Sequence, residues 1–196
     1  MKIVLATRNP GKIEELRRIL TDVDVVGLAD YPDAPEVAET ELTFAGNALL
    51  KARAVAAHTR LAAVADDSGL CVDALNGMPG VFSARWAGRH GDDRANLELL
   101  LDQIGDVPPA LRGAHFACAA AVALPDGTER VVTGRIDGRI IDTPRGTGGF
   151  GYDPIFVPDG ESRTTAEMPP AEKDAISHRG RAFRVLAKIL PELVDP

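Results

Sequence analysis

Two long strand-like runs, GAHFACAAAVAL and ERVVTGRIDGRII, flank the tetrapeptide PDGT within residues 113–141. A proline, aspartate, glycine turn between such runs predicts an antiparallel hairpin. The N-terminus supplies a different unit: KIVLA reads as a buried strand, NPG as a turn, and KIEELRRIL as a helix with Ile13, Leu16, Ile19 and Leu20 on one face. A strand-loop-helix unit and a hairpin in one chain predict a mixed sheet in a single α/β domain, the hairpin region forming a second lobe.

The remaining segments fit that frame. A helix is expected from Thr43 to about His58, with Phe44, Ala48, Ala52 and Val55 near helical spacing. RLAAVA then forms a short buried strand that stops at Asp66-Asp67, and GLCVDAL a further strand. After a loop through NGMPGVFSARWAG, an aspartate caps the helix DDRANLELLLDQI, which aligns Leu97, Leu101 and Ile104. TPRGTGGFGYDPIF reads as a glycine-dense loop entering a short strand, and the last helix carries Phe183, Leu186, Ala187 and Leu190 as a core stripe. No internal repeat or long linker interrupts the chain.

Composition narrows the function classes. With 196 residues and 45% hydrophobic content the chain can bury a substantial core, and a disordered reading is excluded. A formal net charge of −7 argues against coating nucleic acid, so an anionic ligand must be met by locally gathered cations or a metal. The two cysteines, Cys71 and Cys118, sit in apolar segments and read as small core hydrophobes in a reducing, cytoplasmic setting. The apolar N-terminal run is too brief for a signal peptide, and FACAAAVAL at 116–124 falls far short of the roughly 20 residues needed to span a bilayer. A soluble, untargeted protein without a membrane partner is expected.

Four segments carry possible chemistry. TRNPGK, residues 7–12, joins a buried strand to a helix, where free backbone N–H groups favour a phosphate and Lys12 adds charge. It is not a P-loop, since position 6 is Ala and Lys12 is followed by Ile13; an ordinary turn with a solvated lysine is the alternative. Gly146, Gly148 and Gly151 match G-x-G-x-x-G, but the run leads into a strand rather than a helix, which rules out a dinucleotide site. Those glycines suggest backbone passing close to something flat, with Phe150 free to stack, or else a hairpin-end loop with Phe150 in the core. Lys173, His178 and Arg179 cluster before the final helix, suiting an anion or a carbonyl oxygen, unless they form a solvated helix face.

Asp66-Asp67 is the fourth. Successive strand side chains point to opposite faces, so at a strand end one aspartate turns toward a site while the other braces the loop. Two adjacent carboxylates raise each other's pKa unless a cation lies beside them, and Mg²⁺ is the oxygen-preferring ion that keeps them ionised next to a phosphate. A solvated turn before Gly69 is the plain alternative.

Taken in order, TRNPGK, ETELTFAGNALLKA, ADDSGLCVDALNGMPGVFSARWAG, GTGGFGYDPIF and EKDAISHRGRA closely resemble the Ham1/RdgB family of inosine triphosphate pyrophosphatases. The resemblance runs from the first strand to the last helix. It implies an elongated mixed β-sheet with flanking helices and two lobes around a central cleft, a homodimer, and Mg²⁺-dependent hydrolysis of ITP, dITP and XTP to the monophosphate and pyrophosphate. It also implies residue roles. Thr7, Asn9 and Lys12 resemble phosphate contacts, with Arg8, Pro10 and Gly11 in the same loop, and Asn47 and Lys51 match positions near the phosphates. Glu39 and Asp67 resemble the metal and water-activating carboxylates, with Asp67 catalytic, and Ser68 resembles a substrate contact. Phe150, Gly151, Tyr152 and Asp153 resemble the base-binding run, and Lys173, His178 and Arg179 its base and phosphate contacts. Arg8 departs from the family's usual small residue, and either adds charge near the phosphates or faces solvent. Asp66 is left to shape the turn or support Asp67.

A mechanism follows from these roles. Glu39 and Asp67 would hold Mg²⁺, which would supply positive charge to the phosphate, while Lys12 and Lys51 add charge and Asp67 orients or deprotonates water. A donor such as Arg179 or a main-chain N–H rewards a 6-oxo purine over adenine, while a pocket floor near Asp153 without a partner for a 2-amino group would reject GTP. A Maf-like pyrophosphatase is the rival enzyme class, disfavoured by the SHR run. A nucleotide sensor without catalysis is disfavoured by the intact Glu39, Asp67 and Lys12.

Overall fold

The computed structural model describes residues 2–20 and 23–194. Seven strands form one mixed sheet: β1 (Lys2–Leu5), β2 (Asp24–Gly27), β3 (Ala63–Val72), β4 (Met78–Pro79), β5 (Gly113–Ala123), β6 (Glu129–Ile140) and β7 (Phe156–Pro158), in the order β2-β1-β3-β5-β6-β7 with β4 on β3. β1 pairs in parallel with β2 and β3, while β4 is antiparallel to β3 and β7 to β6, so the expected mixed sheet is observed. Five helices flank it: α1 (Pro10–Ile19), α2 (Phe44–Thr59), α3 (Asp93–Gln103), α4 (Pro170–Ile176) and α5 (His178–Val194).

Local chemistry sets the helix starts. Asn9, Thr43 and Asp92 each place a side-chain oxygen on the amide three residues later, Lys12, Gly46 and Ala95 respectively. That satisfies one of the donors a first helical turn leaves open, and Pro10 adds a preset φ to α1. β5 and β6 are joined at the expected turn, where Thr128 donates its amide to Asp126 and Leu124 donates to the Thr128 carbonyl.

The chain divides into two compact units: the first takes the chain up to Asp67, Cys118–Gly134 and the chain from Arg179 on, the second Ser68–Ala117 and Arg135–His178. The hairpin is therefore shared, its turn end in the first unit and its open end in the second. In the first unit alternate strand residues pack on different helices. Ile3, Leu5 and Val64 meet α1 and α5 through Leu16, Leu20, Phe183, Leu186 and Leu190. Val4, Ala63 and Ala65 meet α2 through Ala48, Ala52 and Val55. Period-two alternation thus feeds two helical layers. In the second unit Leu70, Val72, Phe116, Ile136 and Ile140 pack on Leu97 and Leu100 of α3, on Ile104 just after it and on Phe156, leaving Arg135, Asp137 and Arg139 on the exposed side of β6.

One expectation is corrected here. β3 does not stop at the aspartate pair but runs unbroken through Asp66, Asp67, Ser68 and Gly69 to Val72. The strand tolerates two buried carboxylates because each meets donors on its own face. Cys118 is buried in the first core and Cys71 in β3, both as free thiols, as their apolar surroundings suggested. Among the described residues no helix is long and apolar enough to cross a membrane.

Candidate active site

In the first unit the site grows from β3. Pleating sends Asp66 to the α1/α5 side and Asp67 to the α2 side. Asn9 caps α1 and Thr7 accepts the Asn9 amide at 3.2 Å, which fixes the first turn so that Lys12 projects toward the sheet. The Lys12 ammonium lies 2.9 Å from Asp66, with the Asp66 side chain fully buried and Lys12 14% exposed. Arg179, from the first turn of α5, donates Nε to the same Asp66 oxygen at 3.3 Å and pairs through Nη1 with buried Glu15 of α1. Burial alone would raise the Asp66 pKa, but Lys12, Arg179 and Lys51 outweigh it and hold this carboxyl well below the ordinary range. Arg179 is likewise raised: burial opposes its charge, but Asp66 and Glu15 prevail.

The other face has the opposite electrostatics. Asp67 accepts a hydrogen bond from Asn47 Nδ2 at 3.0 Å, and Lys51, one turn further along α2, approaches it at 3.7 Å. The same ammonium binds Glu39 at 2.7 Å. Asn47 also accepts the Glu41 amide through Oδ1, at 2.9 Å, so its orientation is set from the chain beside Glu39. Burial raises the Asp67 pKa and Glu39 adds to it, against Lys51, Lys12 and Asn47. Lys51 rises as well, because Asp67, Asp66 and Glu39 together overcome its burial. Adjacent residues of one strand are thus driven in opposite directions.

Glu39 and Asp67 meeting at one ammonium form an oxygen donor set for a cation. Among the described residues no group of three or more His, Cys, Asp or Glu side chains could hold a metal ion. Two carboxylates fit an ion that completes its shell with phosphate oxygens and water, and do not fit a closed structural metal centre.

In the second unit the glycine loop is tightly bound. Asp153, 3% exposed, accepts the Phe150 amide at 2.9 Å and the Lys173 ammonium at 2.6 Å through Oδ2, and the Thr165 hydroxyl at 2.7 Å through Oδ1. Gly151, with φ at +61°, donates its amide to Asp93 at 2.8 Å. Tyr152 is buried and donates its hydroxyl to the Ser83 carbonyl at 2.9 Å; burial, then the Asp93 charge, pushes its pKa above the ordinary phenol value. Phe150 stays partly exposed, with the Lys173 ammonium 5.1 Å from its ring centre.

The other candidate residues have these partners. Arg8 is exposed and its guanidinium donates to the Ala34 carbonyl at 3.1 Å. Lys173 lies in a short helix, α4, and His178 and Arg179 open α5, and each has its own partners. Lys173 takes Asp153, His178 stacks on Phe116 at 4.9 Å, and Arg179 takes Asp66 and Glu15. The Asp153 carboxylate braces its own loop through Phe150, Thr165 and Lys173. Ser68 is a β3 residue directly after Asp67 and half-buried. Pro10 and Gly11 are the first two residues of α1.

Glu15, Asp93 and Thr165 were not singled out in the sequence. Glu15 stands three residues after Lys12 and four before Ile19, a spacing that places it on the core side of α1. Asp93 and Thr165 carry no such signal, because their partners lie 58 and 12 residues away.

Comparison with known proteins places the whole chain. Residues 3–189 match the Ham1 family. The dITP/XTP pyrophosphatase of Streptomyces avermitilis is 64% identical over 197 residues, covering 98% of each chain. A crystal structure of a nucleoside-triphosphatase, dITP/XTP pyrophosphatase, from Mycobacterium abscessus is 58% identical, with a TM-score of 0.78 over 97% of this chain and all of that one. A HAM1 protein from Coxiella burnetii is 40% identical, with a TM-score of 0.89 over 98% of this chain and 99% of that one. With that similarity spread over nearly the whole length, the chain belongs to the Ham1 family.

Proposed function

We infer that this chain is a hydrolase of phosphoanhydride bonds that converts dITP, ITP and XTP to the monophosphate and pyrophosphate. Relatives of up to 64% identity that bear the name dITP/XTP pyrophosphatase support the reaction class. The observation that carries the assignment to residues is Asp67, a buried carboxylate of raised pKa held by Asn47 and facing Lys51 and Glu39. A general base needs a proton affinity above that of an ordinary carboxylate, and burial supplies it.

Asp67 orients the attacking water and takes its proton. Lys51 and Lys12 stand ready to exchange carboxylate partners for phosphate oxygens, while Thr7, Asn9 and the first turn of α1 offer polar groups to the same phosphates. Glu39 and Asp67 would hold Mg²⁺, which when bound supplies positive charge to the phosphate oxygens. Phe150 offers an aromatic face to the base, with Lys173 and His178 nearby in the chain. Arg179 holds carboxylates through Nε and Nη1, so discrimination of a 6-oxo edge falls to the rest of its guanidinium or to a main-chain N–H. The reading takes residues 1–196 as one catalytic domain, working as a cytoplasmic homodimer on free nucleotides; these last points rest on the resemblance alone.

A panel of ITP, dITP, XTP, GTP and ATP with and without Mg²⁺, scored for pyrophosphate against orthophosphate, tests the function. Pyrophosphate from the first three, dependent on the metal, is expected. Orthophosphate as the first product would mean cleavage at the γ-phosphorus, and equal efficiency on GTP would remove the proposed selectivity.

A further inference from the structure

Phe150 is flanked by two main-chain amides that are held from different parts of the second unit. Its own N–H goes to Asp153, which is in turn fixed by Lys173 and Thr165. The next N–H, of Gly151, goes to Asp93 at 2.8 Å, across 58 residues of sequence. Asp93 opens α3, a helix anchored in the second core by Leu97 and Leu100 and started by the Asp92 cap. Gly151 adopts φ +61°, a left-handed conformation accessible to glycine at little cost but equally open to other conformations in a free loop. A charge-assisted hydrogen bond to that amide selects one of them. The Phe150 backbone is thus fixed on both sides while its ring remains partly exposed.

We propose that Asp93 is a positioning residue for base recognition, acting through the Gly151 amide to hold the Phe150 ring in the orientation a purine stacks on. The inference rests on the reading of the glycine loop as the base platform. Asp93 contacts the glycine loop rather than Lys12, Glu39, Lys51 or Asp67, the residues read above as serving the phosphates and the water, so its influence is expected at the base. Among main-chain contacts of this loop it is the one made by a side chain from α3, which ties the platform to the second core.

The test separates base binding from phosphate chemistry. Asp93→Ala should raise KM for dITP and the inhibition constant of the product IMP by about fivefold to tenfold, the range of an ordinary net hydrogen bond, since this one is exposed to solvent. It should leave kcat within about twofold and inhibition by pyrophosphate unchanged, since neither depends on the platform. Asp93→Asn keeps an oxygen acceptor for the Gly151 amide and should restore most of the affinity. A proportional rise in the pyrophosphate inhibition constant, or no rescue by Asn, would show a general structural defect and overturn the proposal. Phe150→Ala is measured alongside. If it raises the IMP constant and Asp93→Ala does not, the positioning role falls; if Phe150→Ala has no effect on IMP, the base-platform reading falls first.

Discussion

Asp66 and Asp67 are neighbours in β3 that face different hydrogen-bond partners: Asp66 binds Lys12 and Arg179, and Asp67 accepts from Asn47 and faces Lys51. Strand pleating divides one acidic pair into a permanently ionised anchor and a carboxylate of raised proton affinity. The two residues therefore have separable phenotypes.

If Asp67 is the general base, replacing it by Asn preserves shape and removes that function. Turnover should fall by about 10²–10⁴-fold, the usual contribution of general base catalysis, with the thermal midpoint close to wild type. Pyrophosphate release measured with a differential scan checks both halves, and wild-type turnover in a folded Asp67→Asn protein would reject the assignment.

Asp66→Asn acts in the other direction. It leaves Lys12 and Arg179 at a buried site without their shared carboxylate, a loss of about 3–5 kcal/mol by analogy with other broken buried pairs. Urea unfolding should show a much lower midpoint with an unchanged slope, and a midpoint equal to that of Asp67→Asn would contradict the anchor role.

The opposite pKa directions set the pH behaviour. Because the Asp67 pKa is raised by burial, activity should fall on the acid side at a pH above about 4, the ordinary carboxylate value, as the base becomes protonated. Its protonation in the folded state costs no stability, since a raised pKa makes the fold relatively more favourable at low pH. Asp66 is lowered, so its stabilisation is present above the unfolded carboxylate pKa and is lost only as pH falls toward its folded value. Acid inactivation should therefore precede acid unfolding, and kcat/KM profiles compared with circular dichroism over pH 3–8 will show whether the two separate; coincident transitions would argue against the division.

A chelator gives an independent check on the carboxylate pair. Lys51 already neutralises Glu39 and Asp67 in the free chain, so EDTA should abolish turnover while leaving the melting temperature unchanged, with added Mg²⁺ restoring activity. A large fall in melting temperature would point to a structural metal.

Gly149 supports the aromatic platform. It has φ +70°, and a Cβ there would overlap the Asp153 carboxylate, which is pinned by Lys173 and Thr165 and has little room to yield. Gly149→Ala should cost about 1–3 kcal/mol of stability and raise KM for dITP, read from urea unfolding and steady-state kinetics. An unaffected KM would mean the loop adapts.

Much of the architecture was legible because its signals are local. Asn9, Thr43 and Asp92 cap helices through bonds to the third residue on, and PDGT closes the hairpin within four residues. The apolar stripes of α2 and α5 follow from helical spacing. The glycine loop was recognised as something other than a dinucleotide site because a strand, not a helix, follows it. Continuity of β3 was missed because two adjacent aspartates ordinarily mark a solvated strand end. Only donors brought from α1, α2 and α5 make them tolerable inside a sheet.

By itself, then, the sequence determined the longer helices and strands, the aspartate cap of α3, the mixed character of the sheet and the ordered motifs that resemble one family, while β2, β4 and α4 were not read from it. Tertiary structure alone decided which charge meets which. Arg179 reaches Asp66 and Glu15 across 113 and 164 residues, and Asp93 reaches Gly151 across 58. Backbone preferences act over a few residues, whereas a buried charge takes whichever opposite charge packing brings within hydrogen-bonding distance.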